Sequence, residues 1–357
     1  MGLHGHLSTC RRVLGVLIVL LLKQSFVVSF HPSFSTITFD HHCQENTRTV
    51  LYSTSRTARE ARVNGEINGE AKISSTDCKG DEKENAALPW YGAPKFELKP
   101  VHIPRQFRQQ VRKGAFTGPT NSCCPGFLQC NLVVLPQKEA FDFLVFCQRN
   151  RKACPLIEAC EVGSPCPVGV APGADLRTDI PMYSIYKDGE WVEDRTDVID
   201  IWPEDSVAFL IGCSFTYDGA LADAGIPLRS AEQGKSVPIY KTNLKCRPAG
   251  ALHGNIAVSM KPIPTLQLSK HVEITSKYTH AHGGPICIGQ PQEIGIKGLS
   301  KPDWGEPVEL QADEVPVFHA CGVTPQDVLM ESKVSFAITH KAGHMFITDM
   351  PSDMDVV

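Results

Sequence analysis

The sequence has 357 residues, a formal net charge of −4 at pH 7 and a pI near 6.4. This charge gives no broad positive field, and no Lys/Arg cluster is interleaved with aromatic residues, so the composition argues against a nucleic-acid-binding protein. The length would allow two domains of ordinary size, but the first hundred residues do not have the composition of a folded domain.

Residues 1–29 have the pattern of a signal peptide. Two arginines precede the apolar run Val13 to Leu22, and the segment ending at Ser29 provides a small-residue cleavage pattern. The alternative is a membrane anchor, but the run stops at Lys23 and is shorter than the roughly 20 apolar residues that a spanning helix needs. We therefore expect cleavage after Ser29 and no stable membrane span in the processed protein.

Residues 30–100 have the composition of a transit-like segment followed by a linker. The stretch from Phe30 to Arg62 is rich in Ser, Thr and Arg, and Val63 to Ala87 is strongly polar. A signal peptide followed by such a segment resembles the two-part plastid presequences of algae with complex plastids. We expect entry into the secretory pathway and delivery to a plastid, with secretion as the alternative, and a folded domain over residues 101–357.

The folded region is predicted to mix strands and helices, which gives an α/β class. Apolar runs and alternation predict strands at Leu132 to Leu135, Ser206 to Ile211, Ile256 to Met260, Val272 to Ser276 and Val315 to Ala320. An amphipathic helix is expected over Lys138 to Cys147, with Phe141, Leu144 and Val145 on one face.

Two stretches share one local pattern, in which an apolar strand runs into a tight turn with Gly and Cys and then into a helix. The first turn contains Cys213 and Ser214, and the second contains Cys321. The start of a helix offers free N–H groups and the positive end of its dipole, so both turns could hold a carboxylate. A plain structural turn is the alternative for each.

The helix after the second turn has a clear predicted start. Thr324 is expected to be its N-cap, Pro325 its first helical residue, and Asp327 the second member of a capping box.

The chain contains fourteen cysteines, but their spacing does not match a structural zinc site. Cys154, Cys160 and Cys166 recur every six residues and Cys123 adjoins Cys124, so C-x2-C pairs are missing. We interpret most of them as buried free thiols. No dinucleotide-binding, Walker or G-x-S-x-G motif occurs, and neither a metal nor a cofactor is expected.

From about Arg105 to the C-terminus a series of short motifs occurs in order. They include Gln129-x-Asn131-Leu, Ala171-Pro-Gly-Ala-Asp-Leu-Arg-Thr-Asp-Ile-Pro181, Ile211-Gly-Cys-Ser-Phe215, Pro316-Val-Phe-x-Ala-Cys-Gly-Val-Thr-Pro-Gln326 and Gly343-His-Met-Phe-x-Thr-Asp349. In these motifs the sequence resembles the D-glutamate cyclase-like family, whose members are commonly labelled hydro-lyases. The resemblance implies an α/β fold with mixed sheets and helices in two intertwined subdomains. For the characterised mammalian relatives, it implies cyclisation of D-glutamate to 5-oxo-D-proline with loss of water.

The sequence also departs from the usual family pattern at positions that border the motifs. These are Ser122-Cys123-Cys124, Thr216-Tyr217, Ser230, Lys241 and His319. The departures leave the reaction class intact and leave the identity of the substrate open.

Closing glutamate into a lactam requires a carboxylate-binding group, a base for the amine, an oxyanion stabiliser and an acid for the departing hydroxide. The catalytic candidates are Cys213, Ser214, Cys321, His340 and His344. The substrate-binding candidates are Arg177, Thr242, Asn243, Arg247, His253, Ser276, His282 and Thr324. The two cysteines would be nucleophiles if the helix starts lowered their thiol pKa, and turn-filling residues otherwise.

Several of these candidates have structural alternatives. Arg177 could instead form an ion pair with Asp175 or Asp179, which favours Arg247 as the carboxylate ligand. The hydroxyl and amide candidates could equally serve as caps and strand-end hydrogen bonds.

Three function hypotheses remain at this point. The first is a cofactor-independent D-glutamate cyclase or a related hydro-lyase. The second is a hydro-lyase or lactam-opening enzyme for another small acid. The third is a catalytically inactive carboxylate-binding protein. In each case the expected partner is a small-molecule carboxylate, and the chain could form a homo-oligomer.

Overall fold

The computed structural model describes residues 103–353, and the predicted signal peptide (1–29) and transit-like region (30–100) lie outside the described residues. The helices are α1 (Pro104–Arg112), α2 (Gln137–Arg149), α3 (Asp218–Asp223), α4 (Arg229–Glu232), α5 (Leu268–Ser276) and α6 (Thr324–Glu331). The strands are β1 (Phe127–Pro136), β2 (Leu156–Ala159), β3 (Tyr183–Lys187), β4 (Glu190–Arg195), β5 (Ser206–Gly212), β6 (Ile239–Lys245), β7 (Asn255–Pro264), β8 (Cys287–Ile288), β9 (Glu314–Ala320), β10 (Phe336–His340) and β11 (Phe346–Pro351).

The strands form two sheets. The first sheet has seven strands in the order β2-β5-β1-β10-β3-β4, and β11 also pairs with β1. The second has four strands in the order β6-β7-β9-β8. Neighbouring strands in both sheets are antiparallel. This arrangement confirms the α/β class.

Strand β1 lies in the middle of the first sheet and is buried on both faces. Val133 and Leu135 pack with the apolar side of α2, whereas Leu132 and Val134 face a second core on the opposite side of the sheet. All four side chains are fully buried. A strand covered on both sides needs a continuous apolar run, as Leu132 to Leu135 has, because neither face can present polar groups to water.

Helix α2 forms where it was predicted, but its apolar face was predicted only in part: Leu144 and Val145 pack against the core, and Phe141 does not. Phe143, Phe146 and Cys147 are buried, and Phe141 is 71% exposed. The ring of Phe143 lies 4.9 Å from that of Phe209 in β5. Nearly every position in the middle of this helix is apolar, so packing on the sheet selects the face.

The strand predicted at Val272 to Ser276 is also wrong, because this segment belongs to helix α5. Its buried residues, His271 and Thr275, are four positions apart and therefore lie on one helical face. Short alternation of apolar and polar residues, as in Val272-Glu-Ile-Thr, fits a partly buried helix as well as a strand. The other four predicted strands lie within β1, β5, β7 and β9 and are confirmed.

Helix α6 begins at Thr324 with Pro325 in its first turn, but Thr324 is not the N-cap. Val323 occupies the cap position without a side-chain hydrogen bond. The Thr324 hydroxyl instead accepts a hydrogen bond from the backbone N–H of Ala257 at 3.0 Å and lies 3.3 Å from its carbonyl oxygen. Thr324 therefore fastens α6 to β7.

Most of the described cysteines agree with the prediction that most cysteines are buried free thiols. Those that are buried and free are Cys130, Cys147, Cys154, Cys160, Cys213, Cys246 and Cys287, and Cys321 is a partly exposed free thiol. Within residues 103–353 every helix is too short or too polar to cross a membrane.

Candidate active site

A cavity of about 430 Å³ lies where residues of the two sheets meet. The first sheet and its following turns contribute Asn131, Ser184, Asp194, Cys213, Ser214, Lys341 and His344. The second sheet and α6 contribute Ser259, Cys321 and Gln326. The wall is otherwise largely apolar and includes Trp191, Phe215, Val237, Ile239, Trp304 and Val323. Small-molecule sites commonly have this combination of apolar walls and a few convergent polar groups.

His344 is the histidine that lines this cavity. Its Nδ1 lies 3.0 Å from the carbonyl oxygen of Ala342, which can only accept, so Nδ1 carries the proton. The lone pair is therefore on Nε2. Burial is the main cause that lowers the pKa of His344, and the charge of Lys341 acts in the same direction. The ring is neutral at neutral pH, and Nε2 is chemically able to accept a proton.

His340 has a structural position instead. Its side chain is fully buried, and the backbone N–H of Leu132 donates to its Nδ1 at 3.1 Å. The amide of Gln326 donates to the His340 carbonyl oxygen at 2.8 Å. Burial lowers the pKa of His340 to about 4. The structure thus separates the two histidines: His340 ties β10 to β1, and His344 contacts the cavity.

Asn131 and Gln326 place amide groups in the cavity wall. Asn131 donates through Nδ2 to the carbonyl oxygens of Ile211 and Gly212, at 3.1 and 2.9 Å. Gln326 donates through its Nε2 to the backbone carbonyl oxygen of His340. A Cβ atom on Gly322 would lie 2.0 Å from Asn131 Nδ2, so the glycine in the second Cys turn is needed for the close approach of the two sheets.

The cavity contains one ion pair. Lys341 Nζ lies 2.7 Å from Asp194 Oδ2, and the two side chains are 45% and 24% exposed. Asp194 Oδ1 also accepts hydrogen bonds from Ser184 Oγ at 2.7 Å and Trp191 Nε1 at 3.0 Å. Burial alone would raise the pKa of Asp194, but the hydrogen bonds from Lys341, Ser184 and Trp191 outweigh it and lower that pKa. Asp194 is therefore ionised at neutral pH.

Cys213 and Cys321 line the same cavity, but their thiols are not activated. Burial raises the pKa of Cys213 far above its ordinary value and raises that of Cys321 to about 11. This is opposite to the expected lowering. The segment after Cys213 is a single 3-10 turn, Ser214–Tyr217, and α6 starts only at Thr324, so neither thiol gains enough from a helix dipole to offset its desolvation.

We therefore expect Cys213→Ser and Cys321→Ser to keep turnover within about tenfold of wild type, since serine fills nearly the same space. Steady-state kinetics of each variant, beside Cys287→Ser as a buried cysteine outside the cavity, would check this. Loss of nearly all activity in either variant, with Cys287→Ser unaffected, would instead identify a nucleophile.

A buried polar network lies behind the cavity wall. Lys261 Nζ contacts Asp218 Oδ1 at 2.7 Å, with both side chains less than a tenth exposed, and lies 5.6 Å from the centre of the Tyr217 ring. Burial raises the pKa of Asp218, while the charge and hydrogen bond of Lys261 oppose that rise. Ser259, two residues before Lys261 on β7, lines the cavity.

The network includes a pair of neutral histidines. Burial lowers the pKa of His271 to about 4 and also lowers the pKa of His319 well below its ordinary value. His319 Nδ1 lies 3.2 Å from the carbonyl oxygen of Gly283 and must donate to it, so His319 Nε2 accepts from His271 Nε2 at 2.9 Å. His271 Nδ1 is then an acceptor, buried and with no hydrogen-bond partner among residues 103–353. His319, one of the departures from the family pattern, is thus explained by its partner on α5.

The structure places all the predicted substrate-binding residues outside the cavity lining: Arg177, Thr242, Asn243, Arg247, His253, Ser276, His282 and Thr324. The Arg177 guanidinium binds Asp175 with a shortest distance of 2.7 Å, which is the structural alternative. Arg247 is tied through its backbone to Asn150 after α2. His282 is buried against the carbonyl oxygen of Lys152.

The remaining predicted substrate-binding residues either form hydrogen bonds with backbone groups outside the cavity or lie on the surface. The Thr242 hydroxyl donates to Ile256 at 2.6 Å, and the Thr324 hydroxyl binds Ala257. Asn243 and Ser276 are exposed, and His253 lies 3.8 Å from Glu331 on the surface. The predicted convergence of the two Cys turns with His344 therefore occurs, but the loops carrying Arg247, His253 and His282 do not reach the cavity.

Sequence reasoning missed several polar residues of the cavity, among them Asn131, Asp194, Gln326 and Lys341. Asn131 and Gln326 stand inside motifs of the family, and Lys341 lies between two candidate histidines, so a local signal existed for these three. Asp194 lies on the edge strand β4 without any motif. Within the part of the chain that the structure describes, no three His, Cys, Asp or Glu residues are grouped so as to hold a metal ion.

Several bacterial proteins are similar to this chain. One from Thermoanaerobacter sp. (strain X514), named as an inferred hydro-lyase, is 53% identical over 251 residues, which cover 70% of this chain and 95% of the relative. Proteins with the same kind of name from Natranaerobius thermophilus and Geobacillus kaustophilus are each 51% identical, covering 70% and 69% of this chain and 95% and 94% of theirs.

These relatives contradict the predicted localisation. They come from bacteria, which have no plastids and no algal secretory pathway. The prediction of entry through a signal peptide and delivery to a plastid was therefore wrong. It depended only on the composition of residues 1–100, which lie outside the described residues.

The family assignment has two independent supports. The sequence model of the D-glutamate cyclase family matches residues 207–349, which include both Cys turns, Lys341 and His344. The relatives match almost over their full lengths at about half of all positions. The chain belongs to the D-glutamate cyclase family of hydro-lyases, which are carbon–oxygen lyases.

Proposed function

We propose that this protein converts D-glutamate to 5-oxo-D-proline and water. The observation that carries the proposal is His344, a neutral imidazole with its Nε2 lone pair available in a cavity that also holds Lys341, Asn131 and Gln326. The family that matches residues 207–349 takes its name from this reaction.

In the proposed reaction His344 Nε2 removes a proton from the substrate ammonium group. The neutral amine then attacks the side-chain carboxyl carbon, so a C–N bond forms and a tetrahedral oxyanion develops. The Ser214 and Ser259 hydroxyls, which line the cavity, can donate hydrogen bonds to this oxyanion. The protonated His344 gives its proton to one carboxyl oxygen, then takes a second proton from the attacking nitrogen and passes it to the same oxygen. The C–O bond then breaks and water leaves. Both transferred protons come from the ammonium group, so the reaction balances without a cofactor.

Ser214 and Ser259 are suited to bind the oxyanion because of their positions in the cavity. Both line the cavity, and the Ser259 hydroxyl is buried without a hydrogen-bond partner among the described residues. A buried hydroxyl in this state is costly unless a ligand or water satisfies it. A substrate oxygen is a suitable acceptor.

The experiment is to incubate the purified protein with D-glutamate, L-glutamate and both enantiomers of 5-oxoproline, and to follow interconversion by chiral chromatography. We expect D-glutamate to give 5-oxo-D-proline, and ¹⁸O from a labelled side-chain carboxylate to appear in water. Conversion of another acid only, or opening of the lactam without ring closure, would assign a different hydro-lyase or lactam-opening activity. Ligand-dependent stabilisation without any turnover would identify a carboxylate-binding protein.

A further inference from the structure

We infer that Asp194 and Lys341 form a subsite for the head group of an α-amino acid, in which Asp194 binds the ammonium group and Lys341 binds the carboxylate. This inference rests on the proposed function in taking the substrate to be a small acid bound in the same cavity. It adds which residues hold the α-ammonium and α-carboxylate groups, and it implies that the site selects an amino acid over a hydroxy acid or a simple dicarboxylate.

The first argument is the charge inventory of the cavity. Asp194 is the one carboxylate and Lys341 the one lysine or arginine among the residues that the structure places in its wall. A site built for a dianion without an amino group would not need a carboxylate, because like charges in a partly buried cavity repel. One anion and one cation side by side match the opposite charges of an amino-acid head group.

The second argument is the unused bonding capacity of the pair. The Lys341 side-chain ammonium has three N–H donors. Among the described residues its Nζ contacts only Asp194. Asp194 is held in place from behind by Ser184 and Trp191, which both donate to Oδ1. Oδ2 then receives Lys341 and keeps a lone pair for a further donor. The pair can therefore bind an amino acid by opening slightly, with each ion exchanging one partner for another.

The third argument is that Lys341 and the proposed base, His344, lie on the same short turn. The backbone N–H of Lys341 donates to the Met182 carbonyl oxygen at 2.8 Å, and the N–H of His344 donates to the Lys341 carbonyl oxygen at 2.9 Å. One tight turn thus carries both residues. An ammonium group bound at Asp194 beside this turn would lie near His344, which must remove its proton.

The test is calorimetric binding of D-glutamate, L-glutamate, D-alanine, 2-hydroxyglutarate and glutarate to the full chain. In wild type the amino acids should bind more tightly than the analogues without an amino group. Asp194→Asn should weaken amino-acid binding by about 10-fold to 100-fold and leave glutarate unchanged or tighter, because a charge-assisted hydrogen bond is lost and a repulsion removed. Lys341→Gln should weaken the binding of all five ligands.

Two further variants separate a local effect from a damaged fold. Asp200→Asn removes a carboxylate from a surface pair with Arg195, outside the cavity, and should change no affinity. Ser184→Ala keeps both charges but removes the hydrogen bond from Ser184 to Asp194. It should weaken the preference for amino acids over glutarate, as Asp194→Asn does, but by a smaller factor. Thermal melting of each variant shows whether it is folded.

The results distinguish this inference from the proposed reaction. Amino-acid binding that depends on Asp194, without turnover of D-glutamate, would uphold the subsite and overturn the reaction. An Asp194→Asn protein that keeps the wild-type preference for amino acids over glutarate would overturn the subsite even if wild type cyclises D-glutamate. A wild-type protein that binds no amino acid of the panel would also overturn it.

Discussion

His344→Gln is expected to lower kcat by about 100-fold or more while the fold stays intact, since general acid–base catalysis contributes roughly 10²- to 10⁴-fold. The ring lines the cavity and its Nδ1 bonds to a backbone carbonyl of its own turn, that of Ala342, so its loss removes little stability. The matched control is His253→Gln, which changes an exposed histidine paired with Glu331 and should leave kcat unchanged.

The pH profile gives a second readout for the same residue. His344 must be unprotonated to accept a proton, so activity should be present above its pKa and fall as pH decreases through it. Burial lowers that pKa below the ordinary value of about 6.5. The midpoint of the acidic limb of wild-type activity should therefore lie below pH 6.5, and this limb should vanish in His344→Gln. A variant that keeps both its turnover and its acidic limb would rule out His344 as the base.

The largest expected effect on stability is that of Asp218→Ala. This change leaves the Lys261 ammonium buried without its partner, which typically costs about 3–5 kcal/mol of unfolding free energy. Urea denaturation followed by circular dichroism would measure the loss. Removing Asp200 from its exposed pair with Arg195 is the contrasting case, and should cost less than about 1 kcal/mol.

A double variant tests the physical reason for that loss. Replacing both charges, as in Asp218→Leu with Lys261→Met, removes the desolvated ions together and should recover most of the stability. If the double variant is as unstable as Asp218→Ala alone, packing around Tyr217 is the cause and the buried charge is not. If Asp218→Ala unfolds at the wild-type urea concentration, the pair contributes nothing.

The sequence predicted correctly those elements whose structure is determined by residues adjacent in the chain. The apolar runs of β1 and β5, and the turns with Cys213 and Cys321, have short-range causes and were predictable. The face of α2 was predictable only in part, because apolar residues surround much of the helix and Phe209 on another strand determines which side is buried. The strand expected at 272–276 failed for a related reason, since four alternating residues are too few to exclude a helix.

The candidate site was predictable only in part, because strand order determines which loops meet. The placement of β10 between β1 and β3 brings the turn at Lys341 next to Asp194 on β4. No pattern within either segment indicates this neighbour. Arg247 and His282 have residue types suited to a carboxylate site, yet their loops end on α2 and Lys152. The thiol pKa values depend on burial, which the local sequence of a turn does not reveal.

The central position of β1 also has a consequence for how the chain is made. Leu132 and His340, which are hydrogen-bonded to each other, are 208 positions apart, and β11 follows later still. A ribosome therefore releases the apolar run of β1 long before its two C-terminal neighbours exist, and pairings of such long range form slowly. During that interval β1 lacks these neighbours and its apolar residues can aggregate, so we expect chaperones to raise the yield of folded protein.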